Sequence, residues 1–201
     1  MVREFLNKGG RLSGINHTNL VLIPKKTSPS TANDYRPISL CNVVYKIISK
    51  VLVNGMKHIL PSIINECQSE FVPGRMIFDN IIVAHETIHT MNLRRRGRTG
   101  FLAAKLDMSK AYDRIEWAYL EGVMRRLGFS NKWINLVMSC VESVTYSVMI
   151  NGKKCGNIVL SKGLRQGDPL SPYLFLLCAE GLSSLLRKVV HGGSIEGVAA
   201  A

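Results

Sequence analysis

The order of apolar and polar positions along the first third of the chain predicts a strand followed by a helix. The short apolar run Asn19–Pro24 predicts a buried strand, and a polar loop over 25–34 follows it. Apolar residues then recur at helical spacing from about Ser39 to Leu60 and predict a long, half-buried helix that ends at Pro61. The apolar positions of its buried face are Val43, Val44, Ile47, Ile48, Val51 and Leu52.

The middle third predicts a turn, a second helix and a central strand. The Pro-Gly pair within Gln68–Arg75 marks the turn, after which Asp79 is expected to cap a helix. The apolar run Phe101–Leu106 has the length and flanks of a central strand, which would place Asp107 at its end. The helix is expected to bury the side chains of Ile81, Ala84, Ile88 and Met91.

The last third predicts two helices, a hairpin and a final helix. Asp113 and Glu116 resemble a capping box that opens a helix ending near Gly128, and WINLVMSCVES predicts the next helix. The alternating run VTYSVMING ends in Asn-Gly, a strong hairpin signal, before the partner strand NIVL. An apolar helix is expected to begin at Ser171. Strands and helices mixed in this way predict an α+β fold.

Composition narrows the class of partner. The 201 residues are 46% hydrophobic, which is enough for one domain or a large piece of one. A formal charge of +12, spread along the whole chain, suits nucleic acid better than a small acidic substrate. No apolar run approaches the roughly 20 residues of a membrane span, and no secretion signal begins the chain. We expect an intracellular protein, nuclear or cytoplasmic, that is not secreted, has no membrane partner, and carries free thiols.

Asp107 is the first candidate for chemistry. A carboxylate at the end of a buried strand can hold a divalent cation without using the hydrogen bonds of that strand. In nucleotidyl transfer, two metal ions about 3.5 to 4 Å apart stabilise the attacking and leaving oxygens. One carboxylate cannot place both ions, and a lone Asp after an apolar run is more often a turn or a cap. The role of Asp107 therefore depends on the sequence around it.

The run Ala104–Asp113, AKLDMSKAYD, resembles the first palm motif of reverse transcriptases from non-LTR (LINE-type) retrotransposons, especially those of plants. The resemblance implies that Asp107 is catalytic and binds two Mg²⁺ ions, with Mn²⁺ as an alternative. It also implies that Tyr112 lies under the incoming sugar and excludes a 2′-hydroxyl. The alternative for Tyr112 is a hydrophobic staple against Trp117.

The run Lys162–Pro172, KGLRQGDPLSP, resembles the second palm motif of the same family, in which a glycine-bounded loop lets backbone approach template and nucleotide. The resemblance implies that Gln166 contacts the nucleotide or the templating strand. It also implies that Arg165 helps to hold the loop near phosphate. The alternative is an ordinary loop that ends in a helix cap.

Three upstream runs, Leu22–Lys25, Tyr35–Leu40 and Gln68–Arg75, resemble the finger motifs of this family. The resemblance implies cationic contacts with the triphosphate or with template phosphates, which suit charge-assisted hydrogen bonds. Taken one by one, these charges could equally be solvated surface groups. The implied cations are Lys25, Arg36, Lys46 and Arg75.

The resemblance implies a right-hand polymerase fold: fingers over about 1–100, a partial palm over about 101–201, mixed helices, a small antiparallel sheet and no thumb. The implied function is that of a fragment of an RNA-directed DNA polymerase, with RNA template, DNA primer and deoxynucleoside triphosphates as partners. The second acidic pair of the family, in an Ala-Asp-Asp turn, does not occur in the 201 residues. The fragment is therefore expected to be inactive alone. Gly55 and Glu70 also depart from the family pattern, which fits relaxed selection on an element copy.

Two other functions compete with this interpretation. A non-catalytic nucleic-acid-binding remnant of a retroelement would explain the charge and the missing acidic pair. A zinc metalloprotease is the third, because His85, Glu86 and His89 fit H-E-x-x-H, although no third ligand is indicated. The basic run over 94–98 is typical of an exposed loop and is left outside the candidate site.

Overall fold

The computed structural model describes residues 1–10, 12, 14–93 and 101–196, so the basic run at 94–98 lies outside the described residues. The mixture of strands and helices confirms the α+β class. Two short 3₁₀ turns occupy Ala32–Asp34 and Tyr112–Arg114. The longer elements, in chain order, are α1 (Val2–Lys8), β1 (His17–Pro24), β2 (Tyr35–Leu40), α2 (Val43–Lys57), α3 (Leu60–Ile63), α4 (Ile77–Leu93), α5 (Trp117–Arg126), α6 (Asn131–Glu142), β3 (Thr145–Ile150), β4 (Lys153–Val159) and α7 (Ser171–His191).

The chain divides into two compact units. The first unit comprises residues 1–56 and 110–178, and the second comprises residues 57–109 and 179–201, each within the described ranges. The first unit contains the whole sheet, together with α1, α5, α6, most of α2 and the start of α7. The second unit contains α3, α4 and the rest of α7. The predicted division into fingers and palm near residue 100 stays a prediction.

The sheet has four strands in the order β2-β1-β3-β4. Both hairpin pairs, β1 with β2 and β3 with β4, are antiparallel, but β1 and β3 are parallel. The prediction of an antiparallel sheet was therefore wrong for the central pair. Parallel neighbours are joined by a long crossover, and the pattern within each strand does not reveal which distant strand becomes its neighbour. The result is a mixed sheet.

Two features of the strands differ in how far the sequence predicted them. Asn151 and Gly152 have φ of 48° and 76°, which confirms the hairpin turn between β3 and β4. By contrast, β2 falls where we predicted loop and the start of a helix. Its Pro37 has no N–H to donate, but β2 lies at the edge of the sheet, where proline is tolerated. Because proline is unfavourable in most strands, the sequence pattern did not indicate this edge strand.

Helix α2 lies where a helix was predicted, but only Ile48 and Leu52 of its predicted apolar face are fully buried. Val43, Ile47 and Val51 are exposed, Val43 by 72%. Apolar residues occur around much of the helix, so periodicity alone could not select the buried face. The helix ends at Lys57, and Pro61 lies in the first turn of α3, where proline lacks only an N–H that would be unpaired there. The buried residues of α2 are Tyr45, Ile48, Ser49, Leu52, Val53 and Met56.

Gly55 gives α2 a close contact with α6. A Cβ at this position would lie 2.9 Å from Cη2 of Trp133, which is closer than real Cβ contacts allow. The missing side chain therefore makes room for the indole ring. The sequence alone suggested relaxed selection as the origin of Gly55. Its packing against Trp133 gives a physical reason for glycine at this position.

The second unit departs most from the predictions. Helix α4 begins at Ile77, so Asp79 lies in its first turn and is not its cap. None of the α4 side chains is buried, and Ile81 and Ile88 are more than half exposed, so the predicted inward face was wrong. The run Phe101–Leu106 forms no strand in the described structure, because no neighbouring strand offers it a hydrogen-bonding ladder. Asp107 therefore does not lie at a strand end.

The helices after the first palm-like motif were predicted more closely. The N-cap of α5 is Glu116 and not Asp113, because Asp113 lies in the preceding 3₁₀ turn. The chain leaves α5 at Gly128, whose φ of 85° confirms the predicted end. The Ser130 hydroxyl accepts a hydrogen bond from the Trp133 N–H and caps α6. Helix α7 starts at Ser171, as predicted.

Within the described ranges, no helix is both long and apolar enough to cross a membrane.

Candidate functional site

The loop over residues 163–170 is tied at its start to the 3₁₀ turn that carries Tyr112. The Gly163 N–H donates to the Ile115 carbonyl at 2.8 Å, and the Leu164 N–H donates to the Tyr112 carbonyl at 2.9 Å. Gly163 has φ of 94°, and a Cβ there would lie 3.2 Å from the Asp113 carbonyl oxygen. Glycine therefore lets the two palm-like motifs lie in direct backbone contact.

The Arg165 side chain is buried inside the first unit, only 5% exposed. Its guanidinium donates to the Asn16 side-chain oxygen at 2.7 Å and to the Thr18 hydroxyl at 3.3 Å. It also donates to the Cys140 carbonyl at 3.1 Å and pairs with the Asp168 carboxylate at 3.1 Å. A buried charge is costly unless it is paired and hydrogen-bonded in this way. The donors of Arg165 are thus used within the protein, which does not favour the predicted role near phosphate.

Tyr45 completes this buried cluster from α2. Its hydroxyl donates to the Asp168 carboxylate at 2.6 Å, and its ring lies 3.8 Å from the Arg165 guanidinium carbon. Burial, and then the neighbouring Asp168 charge, raise the pKa of Tyr45 well above its usual value, so the hydroxyl remains a donor. Asp168 also accepts the Leu170 N–H at 3.0 Å. We call Tyr45, Arg165 and Asp168 the buried triad.

Gln166 lies between two members of the buried triad in sequence. Its carbonyl accepts the Ser39 N–H of β2 at 2.9 Å. The next residue, Gly167, has φ of 98°, and a Cβ there would lie 3.3 Å from the Ser39 carbonyl oxygen. The Gln166 side chain is partly exposed, and within the described structure its amide forms no hydrogen bond. Its backbone is fixed while its amide remains available.

Tyr112 lies in the first unit, and its carbonyl accepts the Leu164 N–H of this loop. Its ring stacks on that of Phe175 of α7, with centroids 5.3 Å apart and an angle of 16° between planes. Trp117, the proposed alternative partner, donates its indole N–H to the Gly163 carbonyl at 2.9 Å. The sugar-excluding role of Tyr112 stays a prediction.

Three of the four predicted cations lie at the surface of the first unit. Lys25 donates to the Asn33 carbonyl at 2.8 Å at the end of the β1–β2 hairpin. Arg36 is exposed on β2, and Lys46 is exposed on α2. Within the described structure, the side chains of Arg36 and Lys46 form no ion pair. Both charges therefore remain available to an anionic partner.

Arg75, in the second unit, is used differently. Its guanidinium donates to backbone carbonyls of residues at and just beyond α3, including Gln68 at 2.7 Å and Ile64 at 3.1 Å. The other two acceptors are the carbonyls of Pro61 and Asn65. These carbonyls lack helical partners, so the arginine holds this turn together. A contact between Arg75 and phosphate stays a prediction that these four bonds do not favour.

Asp107 lies in the second unit, in the exposed segment that follows residues 101–106. The described residues contain no group of three or more His, Cys, Asp or Glu side chains that could hold a metal ion. Mg²⁺ is commonly held by one or two carboxylates together with water and substrate phosphates, and Asp107 is the predicted carboxylate that would hold it here. The lack of such a group leaves the H-E-x-x-H run of α4 without a third zinc ligand among the described residues.

The glycine-bounded loop over 163–170 is thus joined by backbone hydrogen bonds to β2 and to the turn that carries Tyr112. Residues 23–196 match the family described as reverse transcriptase (RNA-dependent DNA polymerase). The chain belongs to this reverse transcriptase family.

The chain is similar to proteins of non-LTR retrotransposons. It is 32% identical over 96% of its length to the transposon TX1 uncharacterized 149 kDa protein of Xenopus laevis. It is 26% identical over 87% of its length to the Pol polyprotein from the type-1 retrotransposable element R2 of Popillia japonica. It is 28% identical over 90% of its length to the corresponding polyprotein of the type-2 element R2DM of Drosophila melanogaster. The chain spans only 14%, 24% and 17% of these relatives, respectively.

Sequence reasoning missed the polar partners that hold the loop. Tyr45 lies among apolar residues of α2, so nothing in the sequence distinguishes it from a core residue. Asn16 and Thr18 lie just before and within the first residues of β1, and no sequence pattern singles them out. Asp168 carried a usable signal, because an Asp three residues after an Arg in one loop can form a local ion pair. Nothing in the sequence, however, indicated that this pair would be buried.

Proposed function

We propose that these 201 residues act as part of an RNA-directed DNA polymerase and bind an RNA template, a DNA primer and the incoming deoxynucleoside triphosphate. The observation that carries this proposal is the match of residues 23–196 to the reverse transcriptase family. Under this proposal, residues 1 to about 100 form fingers, and the residues after them form part of a palm. The net charge of +12 supports a polyanionic partner.

In the proposed complex, Arg36, Lys46 and Lys25 contact phosphates of the template or of the triphosphate. Their exposure, and the absence of ion pairs at Arg36 and Lys46 among the described residues, support this role. Gln166 contacts the nucleotide or the templating base through its free amide. Tyr112 lies below the sugar, and its ring is held flat against Phe175.

Asp107 is proposed as one metal-binding carboxylate. Mg²⁺ in such sites neutralises charge on the transferred phosphate and lowers the pKa of the attacking hydroxyl. Among the described residues, no cluster of three or more acidic, His or Cys side chains accompanies Asp107. We propose that the 201 residues alone bind nucleic acid but do not extend a primer.

The first experiment measures binding of a fluorescent RNA–DNA primer–template by the purified chain between 50 and 300 mM salt. We expect log Kobs to fall linearly with log salt, and the Arg36→Gln variant to bind more weakly with a slope smaller by roughly 0.7 to 0.9. Lys8→Gln is the matched control, because Lys8 is an exposed cation of α1 outside the proposed site. Binding that does not depend on salt, or equal losses in both variants, would contradict the proposal.

A non-catalytic nucleic-acid binder is the second candidate, favoured by the net charge of +12. The two functions differ in their response to a nucleotide. A polymerase fragment should bind a chain-terminated primer–template more tightly when the complementary deoxynucleotide is present than when a mismatched one is. A simple binder should respond equally to both. Primer extension above an Asp107→Ala control would refute the predicted inactivity.

A further inference from the structure

We propose that the buried triad, Tyr45, Arg165 and Asp168, positions Gln166 for nucleic acid, and that Arg165 acts from inside the protein and not as a phosphate contact. The triad members are thus positioning residues. The role of the triad in nucleic-acid binding rests on the proposed function. The triad itself is present in the first unit whatever that unit binds.

The triad connects the loop to separate parts of the first unit. Arg165 reaches Asn16 and Thr18 at the start of β1, and Cys140 at the end of α6. Tyr45 brings in α2. The loop cannot shift without breaking bonds to three elements that are distant in sequence.

The anchored residues of the loop lie on both sides of Gln166. Arg165 precedes it, and Asp168 follows by two residues and accepts both the Tyr45 hydroxyl and the Leu170 N–H. Between them, the Gln166 carbonyl accepts the Ser39 N–H of β2. The Gln166 carbonyl is therefore bonded to β2 and is flanked by two residues whose side chains are anchored, while the Gln166 amide forms no hydrogen bond in the described structure.

The burial of the triad makes the loss of any of its bonds costly. Arg165 and Asp168 are each 5% exposed, so removing any partner leaves a charged or polar group unpaired in the interior. A surface arginine that binds phosphate carries no such penalty in the free protein. The burial of Arg165 therefore indicates that its bonds stabilise the loop before any nucleic acid binds, a form of preorganisation.

The test uses Tyr45→Phe, which removes a single hydroxyl and keeps the ring under Arg165. Amide hydrogen exchange at Ser39, whose N–H is bonded to Gln166, should become about tenfold faster than in the wild type. The matched control is Tyr119→Phe, which removes another tyrosine hydroxyl bond of the first unit, to the Cys178 carbonyl, and should leave Ser39 unchanged. An unchanged Ser39 exchange rate in Tyr45→Phe would overturn the triad as an anchor, whatever the binding results.

A second arm separates positioning from general support. Primer–template affinity is measured for Tyr45→Phe, Gln166→Ala and the double variant. If Tyr45 acts through Gln166, the Tyr45→Phe change should weaken binding about threefold or more in the wild type and have no effect when Gln166 is already alanine. Additive losses would show general destabilisation and would overturn the positioning role.

A third measurement addresses phosphate directly. Arg165→Gln removes the charge and should leave the salt slope equal to that of the wild type, whereas Arg36→Gln should reduce it. A reduced slope in Arg165→Gln would show a phosphate contact and contradict the proposal. If the wild-type chain bound no primer–template at all, the proposed function and the positioning role would both fail, while Ser39 exchange would still decide whether the anchor exists.

Discussion

The two compact units treat their apolar residues in opposite ways. In the first unit, side chains from α2, α5, α6 and the start of α7 are buried around a sheet, and a polar triad is buried with them. In the second unit, the buried apolar side chains among the described residues are Leu60, Ile64 and Val72. Every α4 side chain that is described lies at least partly at the surface. Burial supplies most of the free energy that favours folding, so the two units should differ greatly in stability.

This contrast also separates the proposed functional residues. The loop with Gln166 and the turn with Tyr112 belong to the well-packed first unit, whereas Asp107 belongs to the second unit and lies in an exposed segment without strand structure. A site needs its groups held to within fractions of an ångström by their surroundings. The described structure meets that condition for the Gln166 backbone but not for Asp107.

The largest expected effect comes from removing the acidic member of the triad. Asp168→Ala leaves Arg165 buried without its ion pair, which should lower the free energy of unfolding of the first unit by about 3–5 kcal/mol. Urea unfolding followed by tryptophan fluorescence measures this, because Trp117 and Trp133 both belong to the first unit. The control is Asp79→Ala in α4, where the carboxylate is exposed and the loss should stay near or below 1 kcal/mol. A small effect of Asp168→Ala would mean that the triad does not stabilise this unit.

The packing contrast is tested by truncating one residue in each unit. Leu177 of α7 is fully buried, so Leu177→Ala should cost about 2–5 kcal/mol through lost burial and a cavity. Ile82 of α4 is 56% exposed, and Ile82→Ala should change stability by no more than about 0.5 kcal/mol. Because Trp117 and Trp133 both lie in the first unit, urea titration followed by far-ultraviolet circular dichroism, which also reports unfolding of α4, is used for both variants. Similar losses would mean that α4 is covered in solution by apolar surface absent from this structure.

Alkaline pH should weaken the first unit selectively. Burial raises the pKa of the thiols of Cys140 and Cys178 to about 12, from about 9 when unfolded. Each thiol stays protonated in the folded state while it ionises in the unfolded state. Stability is therefore complete below pH 9 and is lost as pH rises toward 12, by about 1.4 kcal/mol per pH unit and thiol.

Unfolding titrations at pH 8, 9, 10 and 11 measure this loss. In Cys140→Ala, the slope above pH 9 should fall by the contribution of one thiol. In Cys67→Ala, which changes an exposed thiol of the second unit, the slope should not change. An identical slope in Cys140→Ala and the wild type would show that the Cys140 thiol ionises equally in both states.

The smallest effect concerns Gly55. Gly55→Ala gains about 1 kcal/mol of helix propensity but forces a Cβ to within 2.9 Å of the Trp133 ring, and overpacking usually costs 1–3 kcal/mol. We expect a net loss of about 1 kcal/mol together with a change in tryptophan fluorescence. The matched control is Gly122→Ala in α5, where nothing lies within 4 Å and the change should stabilise. Stabilisation in both variants would support relaxed selection as the origin of Gly55.

These comparisons show what the sequence could predict. The hairpin followed from Asn-Gly, α6 and α7 followed from apolar periodicity, and the loop with Gln166 followed from the family motif, because each signal is local. The pairing of β1 with β3 and the contacts of Arg165 with Asn16 and Thr18 join residues far apart in the chain, which local patterns do not encode.

The failures in the second unit have a different physical cause. The apolar runs of α4 and of 101–106 carry the pattern of buried elements, but the described structure provides no surface to cover them. A pattern predicts what an element would bury if a partner were present, not whether that partner is present. For this reason the predicted strand before Asp107 and the inward face of α4 were both wrong.

Native-state hydrogen exchange across the whole chain tests the contrast between the units most directly. The amides of α6 and of the β1–β3 pair should exchange only through global unfolding of the first unit, at least a thousandfold more slowly than the amides of α4. The segment 101–109 should exchange as fast as an unstructured peptide. Equal protection of α4 and α6, or strong protection at Asp107, would contradict a stable first unit joined to a second unit whose apolar residues remain uncovered.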